Sequence, residues 1–158
     1  MAKILLEDLN IHAKEEDVST LDGILKAFYE VISGPAGQPR DWKRDRTLYA
    51  PPALMVPTAI KDGRPSIQVL DIDGYVERAE PILAQGFFEY EIHREATIFG
   101  NMAHVFSTYE ARATEDGPVM RRGINSVQLV NDGKRWWIVS CVWDTEREGN
   151  PLPARFNP

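Results

Sequence analysis

Four polar residues interrupt otherwise apolar strand patterns: Arg94, Ser107, Asn125 and Ser140. Their chemistry suits holding and polarising a small molecule. A guanidinium grips a carboxylate or an enolate oxygen, while hydroxyls and an amide orient the rest by hydrogen bonds. Tyr29, Trp42, Tyr90 and Tyr109 could line the same space and stack on a flat ligand. The ordinary reading of each is core, because aromatics carry much of a core's buried area. The chain shows no glycine-rich phosphate loop and no nucleophile motif.

These residues are positioned by four long strand patterns between Phe87 and Thr145, joined at Gly100-Asn101, Glu115-Pro118 and Asn131-Lys134. Side chains alternate along a strand, so turn position fixes pairing and face together. A two-residue turn at Gly100-Asn101 pairs Ile98 with Ala103, Ala96 with Val105, Arg94 with Ser107 and Ile92 with Tyr109. A turn centred on Asp132-Gly133 pairs Leu129 with Trp136, Val127 with Ile138, Asn125 with Ser140 and Gly123 with Val142. These sets form the expected concave face. A single bulge would invert a strand's faces. Buried polar groups need partners, so four on one face imply either a cavity holding a ligand or water, or an internal hydrogen-bond network. The opposite face would carry Phe106, Trp137, Cys141 and Trp143, and an apolar area of that size predicts a homodimer through it.

Helical patterns precede these strands. Leu21, Ile24, Leu25, Phe28, Val31 and Ile32 recur at helical spacing, with Asp17 or Ser19 as the cap and Ser33 near the end. Asp41 can cap a shorter helix through about Tyr49, and Asp71 or Asp73 one through about Leu83. Leu54–Ile60 and Ser66–Leu70 around Asp62-Gly63 read as a hairpin. The expected divisions are an N-terminal arm over 1–14, one domain over 15–146, and a proline-rich tail over 147–158 that lies extended across the surface.

Bulk properties narrow the function. A chain of 158 residues buries roughly 68–70% of its unfolded surface and folds without a metal or disulfide. The net charge of −6 argues against a nucleic-acid surface, and Asp41 and Asp45 interrupt the basic cluster of Arg40, Lys43, Arg44 and Arg46. The one cysteine, Cys141, suits a reducing compartment and reads as a buried, inert thiol. Acids near the N-terminus oppose a signal peptide, and no apolar run approaches the roughly 18 residues needed to span a membrane. A cytoplasmic protein without a cofactor or metal is expected. His93 and His104 face outward in this register and are too far apart along the ladder to share a metal.

Three segments carry a family resemblance: Arg40-Asp41-Trp42-Lys43-Arg44 leading to Leu48-Tyr49-Ala50-Pro51; Phe99 to Arg112; and Arg122 to Leu129 with the Trp136 strand. Over residues 15–146 the chain resembles the nuclear transport factor 2-like superfamily, which includes ketosteroid isomerase, scytalone dehydratase and polyketide cyclase-like proteins. The resemblance implies an α+β fold, with N-terminal helices packed on the concave face of a strongly bent antiparallel sheet: a cystatin-like cone. This fold hosts enzymes, binders and assembly domains alike. Isomerase-like members use a carboxylate base inside the cone. The expected concave face has none in mid-strand, since Asp144 lies at a strand end opposite Arg121. The leading expectation is therefore a binder of a small apolar or partly anionic molecule, without catalysis. The alternatives are an isomerase, dehydratase or cyclase-type enzyme, and a dimerising interaction module.

Overall fold

Three of the helices begin where the sequence supplies a side-chain cap. In the computed structural model, which describes residues 3–158, α1 spans Glu15–Val18 and α2 spans Leu21–Ile32. Thr20 separates them: its backbone is extended and its hydroxyl accepts from Gly23 N at 2.9 Å. The single helix expected from Asp17 or Ser19 is thus two. Asp17 is buried instead, accepting from Nε and Nη2 of Arg44 at 2.7 Å each. Asp41 caps α3 (Trp42–Arg46), which is shorter than expected, and Asp71 caps α4 (Ile72–Leu83). Pro81 sits in the last turn of α4, where little helix follows it to disrupt.

The arginines of the basic cluster are engaged internally. Arg40 donates to the carbonyls of Ile32 (2.9 Å), Gly34 (2.7 Å) and Leu83 (2.7 Å), tying the ends of α2 and α4 together. Arg44 takes Asp17 and Glu30, and Arg46 takes Asp73.

The strands β1 (Tyr49–Lys61), β2 (Arg64–Ile67), β3 (Phe88–Phe99), β4 (Met102–Arg112), β5 (Arg121–Asn131) and β6 (Trp136–Thr145) form one curled sheet in the order β2-β1-β6-β5-β4-β3. All pairings are antiparallel except β1 with β6. The fold is α+β, and α2 and α4 bury their apolar faces against the concave side. Ile24, Leu25 and Phe28 of α2, and Tyr75 and Ala79 of α4, join one core with Val105, Tyr109, Val127 and Cys141 of the sheet. Among the described residues no helix is long and apolar enough to cross a membrane.

Two one-residue irregularities reset the expected faces. In β3 the pairing shifts between Glu91 and His93, leaving Ile92 unpaired, so Glu91 rather than Ile92 stands opposite Tyr109. In β6 the connection is longer than expected, pairing Asn131 with Trp136, and a further shift leaves Val139 unpaired. Asn125 therefore faces Trp143, not Ser140, and Val127 faces Cys141, not Ile138. A bulge bends a strand and flips every residue beyond it.

The convex side is covered in part by the C-terminal segment. Phe156 packs on Phe106 with ring centroids 5.2 Å apart, and its carbonyl accepts from Thr108 Oγ1 at 2.7 Å. Arg155 pairs with Glu95. The residues expected to form an outward apolar face are mostly internal. Cys141 is in the core, and Trp143 turns to the concave side. Trp137 is buried beneath the Arg135 guanidinium, 3.7 Å from its ring.

Candidate functional site

The corrected register lays three cross-strand rows over the concave face: Glu89–Ala111–Arg121, Glu91–Tyr109–Gly123, and Arg94–Ser107–Asn125–Trp143. The statement that this face lacks a mid-strand carboxylate is overturned, because the β3 bulge turns both Glu89 and Glu91 inward. Helices α2 and α4 arch over the rows. Between them opens a cavity of about 580 Å³ including its mouth, lined by Phe28 and Ile32 (α2), Tyr75, Arg78, Ala79, Ile82 and Leu83 (α4), Met55, Phe87, Glu89, Tyr109, Arg121, Asn125 and Trp143. A cavity of this volume, part of it open mouth, takes only a small ligand.

Gly123 makes room for Tyr109. A Cβ there would lie 2.6 Å from the Tyr109 hydroxyl oxygen and would also meet the Asp144 carbonyl. With no side chain on Gly123, the tyrosine ring lies over β5 and its hydroxyl reaches the cavity. Tyr29, Tyr49 and Tyr90 bond their hydroxyls within the chain. Tyr75 and Tyr109 both line the cavity, and among the described residues neither phenol has a partner. Burial raises the pKa of both, so they stay neutral donors at physiological pH.

Glu89 is the central group. Burial pushes its carboxyl up to about 7, against the opposing effects of the Asn125 amide and the Arg121 charge. Asn125 Nδ2 donates to Glu89 Oε1 at 3.3 Å and to Tyr29 Oη at 3.1 Å. The chain continues outward. Tyr29 Oη bonds Ser107 Oγ at 2.6 Å, Ser107 donates to Glu91, and Arg94 holds Glu91 at 2.6 Å and also pairs with Asp22. A carboxyl near 7 takes or gives a proton at neutral pH, and unpartnered phenols hold a developing oxyanion.

The predicted site residues separate into groups. Asn125 and Tyr109 line the cavity, and Tyr29 and Ser107 stand behind it in the hydrogen-bond chain. Arg94 lies at the edge, with Tyr90, in a separate groove that reaches Glu89 from the β3 side. Tyr90 points outward, its ring 5.9 Å from the Arg112 guanidinium. Trp42 packs edge-on against Tyr75 at 6.4 Å and does not line the cavity. Ser140 pairs with Gln128 and Leu54 on the convex side, a consequence of the β6 shift. Sequence reasoning missed Glu89, Tyr75, Arg78 and Arg121. Glu89 was legible only through the bulge, which alternation alone does not reveal.

No protein-family model matches the chain, and no curated protein matches it. Solved structures do. A candidate dehydratase of the nuclear transport factor 2-like family from Streptomyces avermitilis aligns over 83% of this chain and 96% of its own, at 15% identity and a TM-score of 0.57. A candidate ketosteroid isomerase from Shewanella frigidimarina aligns over 77% and 93%, at 16% identity and 0.54. A candidate calcium/calmodulin-dependent protein kinase II association domain from Xanthomonas campestris aligns over 81% and 86%, at 14% identity and 0.60. The fold is that of the nuclear transport factor 2-like proteins. Likeness at this identity reaches the fold and stops there, since an association domain and candidate enzymes align equally well.

Proposed function

We propose that the protein binds a small, partly apolar carbonyl compound in its cone and moves a proton on it, as an isomerase or dehydratase does. One observation carries this reading: the Glu89 carboxyl sits inside an apolar cavity, near 7, beside two phenols without partners. Glu89 is the base that removes a proton next to the carbonyl and later returns it. Tyr75 and Tyr109 donate to the carbonyl oxygen as charge develops there. Asn125 holds Glu89 in place, and the apolar wall keeps bulk water from the reacting atoms. The structural neighbours include candidate proteins of both reaction types, which fits this reading without identifying a substrate.

Exchange of α-protons in a panel of small ketones and enones tests it. The wild type should catalyse exchange on at least one member, and Glu89→Gln should lower the rate by about 10²–10⁴-fold, the usual worth of a general base. Tyr109→Phe should lower it less, with Tyr75 remaining. Catalysed exchange that survives Glu89→Gln would remove Glu89 from the role. A second reading, a binder without catalysis, follows from the same carboxyl: protonated Glu89 is itself a hydrogen-bond donor. It predicts carbonyl ligands that bind without exchanging protons.

A further inference from the structure

The protein is acidic overall, and most of its arginines are spoken for. Arg44, Arg46, Arg94, Arg112, Arg122, Arg147 and Arg155 are ion-paired, and Arg40 is bonded to backbone carbonyls. Among the described residues Arg64 and Arg135 form no ion pair either, but Arg64 opens β2, and Arg135 donates to the Thr47 carbonyl and stacks on Trp137. Arg78 and Arg121 differ in where they stand. Both line the apolar cavity, one from α4 and one from β5, and both are exposed at its mouth. Arg78 donates only to the neutral Gln68, at 3.0 Å. Among the described residues neither guanidinium pairs with a carboxylate.

Arg121 shares a cross-strand row with Glu89, so pairing the two would be the simplest use for it. No such ion pair forms, and burial still outweighs the Arg121 charge at Glu89. The cations are therefore left over from the protein's own electrostatics. A surface cation near water costs little, but two without carboxylate partners lining the same largely apolar cavity match a particular class of ligand.

We propose that the cavity takes a small organic carboxylate, its apolar body among Phe28, Ile32 and Phe87 and its anionic head between Arg78 and Arg121. This rests on the proposal that the cone binds a small molecule, and adds the class of molecule. Bidentate geometry would let either guanidinium hold both carboxylate oxygens. The acid group then stays at the mouth, and the rest of the molecule reaches Glu89.

The test uses calorimetric titration of the whole protein with benzoate, cyclohexanecarboxylate and hexanoate, each against its primary amide. At least one acid should bind more tightly than its amide, by about tenfold or more at low salt. Arg121→Gln and Arg78→Gln should each weaken the acid by about three- to tenfold and leave the amide unchanged. Added salt should narrow the preference, because the mouth is open to solvent. Amides that bind as well as their acids, with both substitutions silent, would overturn the anionic class and leave the small-molecule cavity standing. If neither acids nor amides bind, the carboxylate proposal fails, while catalysed proton exchange on the ketone and enone panel still decides the carbonyl reading separately. Thermal unfolding of each variant shows whether it is folded, and Arg121→Lys, which keeps the charge, should retain part of the preference.

Discussion

Glu89 on β3 and Asp45 on α3 are both carboxyls that burial pushes up to about 7. Their surroundings differ. Glu89 opens onto a cavity, accepts from the Asn125 amide, and sits in a row with Arg121. Asp45 has no exposed surface. Tyr49 donates to one of its oxygens at 3.3 Å, and among the described residues the other oxygen has no partner. The same perturbation thus has two meanings. A shifted carboxyl with room in front of it is poised for a ligand, whereas a shifted carboxyl sealed in the core is only a cost to the fold. A perturbed pKa nominates a site, and access decides whether it is one.

The cost at Asp45 is the largest effect that separates the two. Folded, it keeps its proton up to about 7, while the unfolded chain releases it near 3.8. Between those values the folded state binds more protons at Asp45, so that group's contribution to stability is fullest below pH 3.8 and falls as pH rises toward 7. Three units at about 1.4 kcal/mol each give a loss of about 4 kcal/mol. Asp45→Asn should remove most of that slope in urea unfolding, and should leave the variant more stable than the wild type at pH 8. Glu89 works in the same direction, with a smaller share because its rise, from 4.5 to about 7, is smaller. A wild-type slope unchanged by Asp45→Asn would mean that the Asp45 carboxyl is hydrated, and the contrast with Glu89 would collapse.

Next in size is the shape of the cavity. Gly123→Ala places a methyl against the Tyr109 hydroxyl and the Asp144 carbonyl. The carbonyl belongs to β6 and cannot swing away, so the tyrosine or the strand must shift. Overpacking of this kind costs about 1–3 kcal/mol. A fall in melting temperature together with lost ligand binding is expected. Unchanged stability would mean that Tyr109 has a free alternative rotamer and is not held over β5.

How much of this could be read from sequence follows from the same geometry. Helix caps at Asp41 and Asp71 and the hairpin at Gly100-Asn101 are local devices, and each stands where its residue types place it. Ser107 opposite Arg94 also holds, because no irregularity lies between that pair and the turn. Beyond Arg94 the rule of alternation sends Phe88, Tyr90 and Ile92 inward and Glu89 and Glu91 out, as hydrophobicity demands. The structure does the reverse, because one unpaired residue at Ile92 inverts the end of the strand. Ser140 is misplaced for the equivalent reason at Val139. The bulges leave Tyr90 and Val139 exposed, against the hydrophobic pattern, so alternation cannot reveal them. A carboxyl turned inward against the pattern is the kind of local violation that functional sites show.

The smallest effect sharpens the description of Glu89 itself. Asn125 is only 4% exposed and its amide donates to Glu89 and to Tyr29. A hydrogen bond donated to a carboxyl favours the ionised form, so this contact holds Glu89 below where burial alone would leave it. Asn125→Ala removes the donor. The Glu89 midpoint, read from the pH dependence of proton exchange or from the carboxyl carbon resonance, should rise by about half a unit to one unit, equivalent to a hydrogen bond of about 1 kcal/mol. Tyr29 should not take over, because its hydroxyl is committed to Ser107, which in turn is committed to Glu91. The opposite sign is equally informative. If the midpoint falls, the amide in solution presents its oxygen to Glu89, accepting from the protonated carboxyl, and the hydrogen-bond chain to Glu91 runs in the other direction.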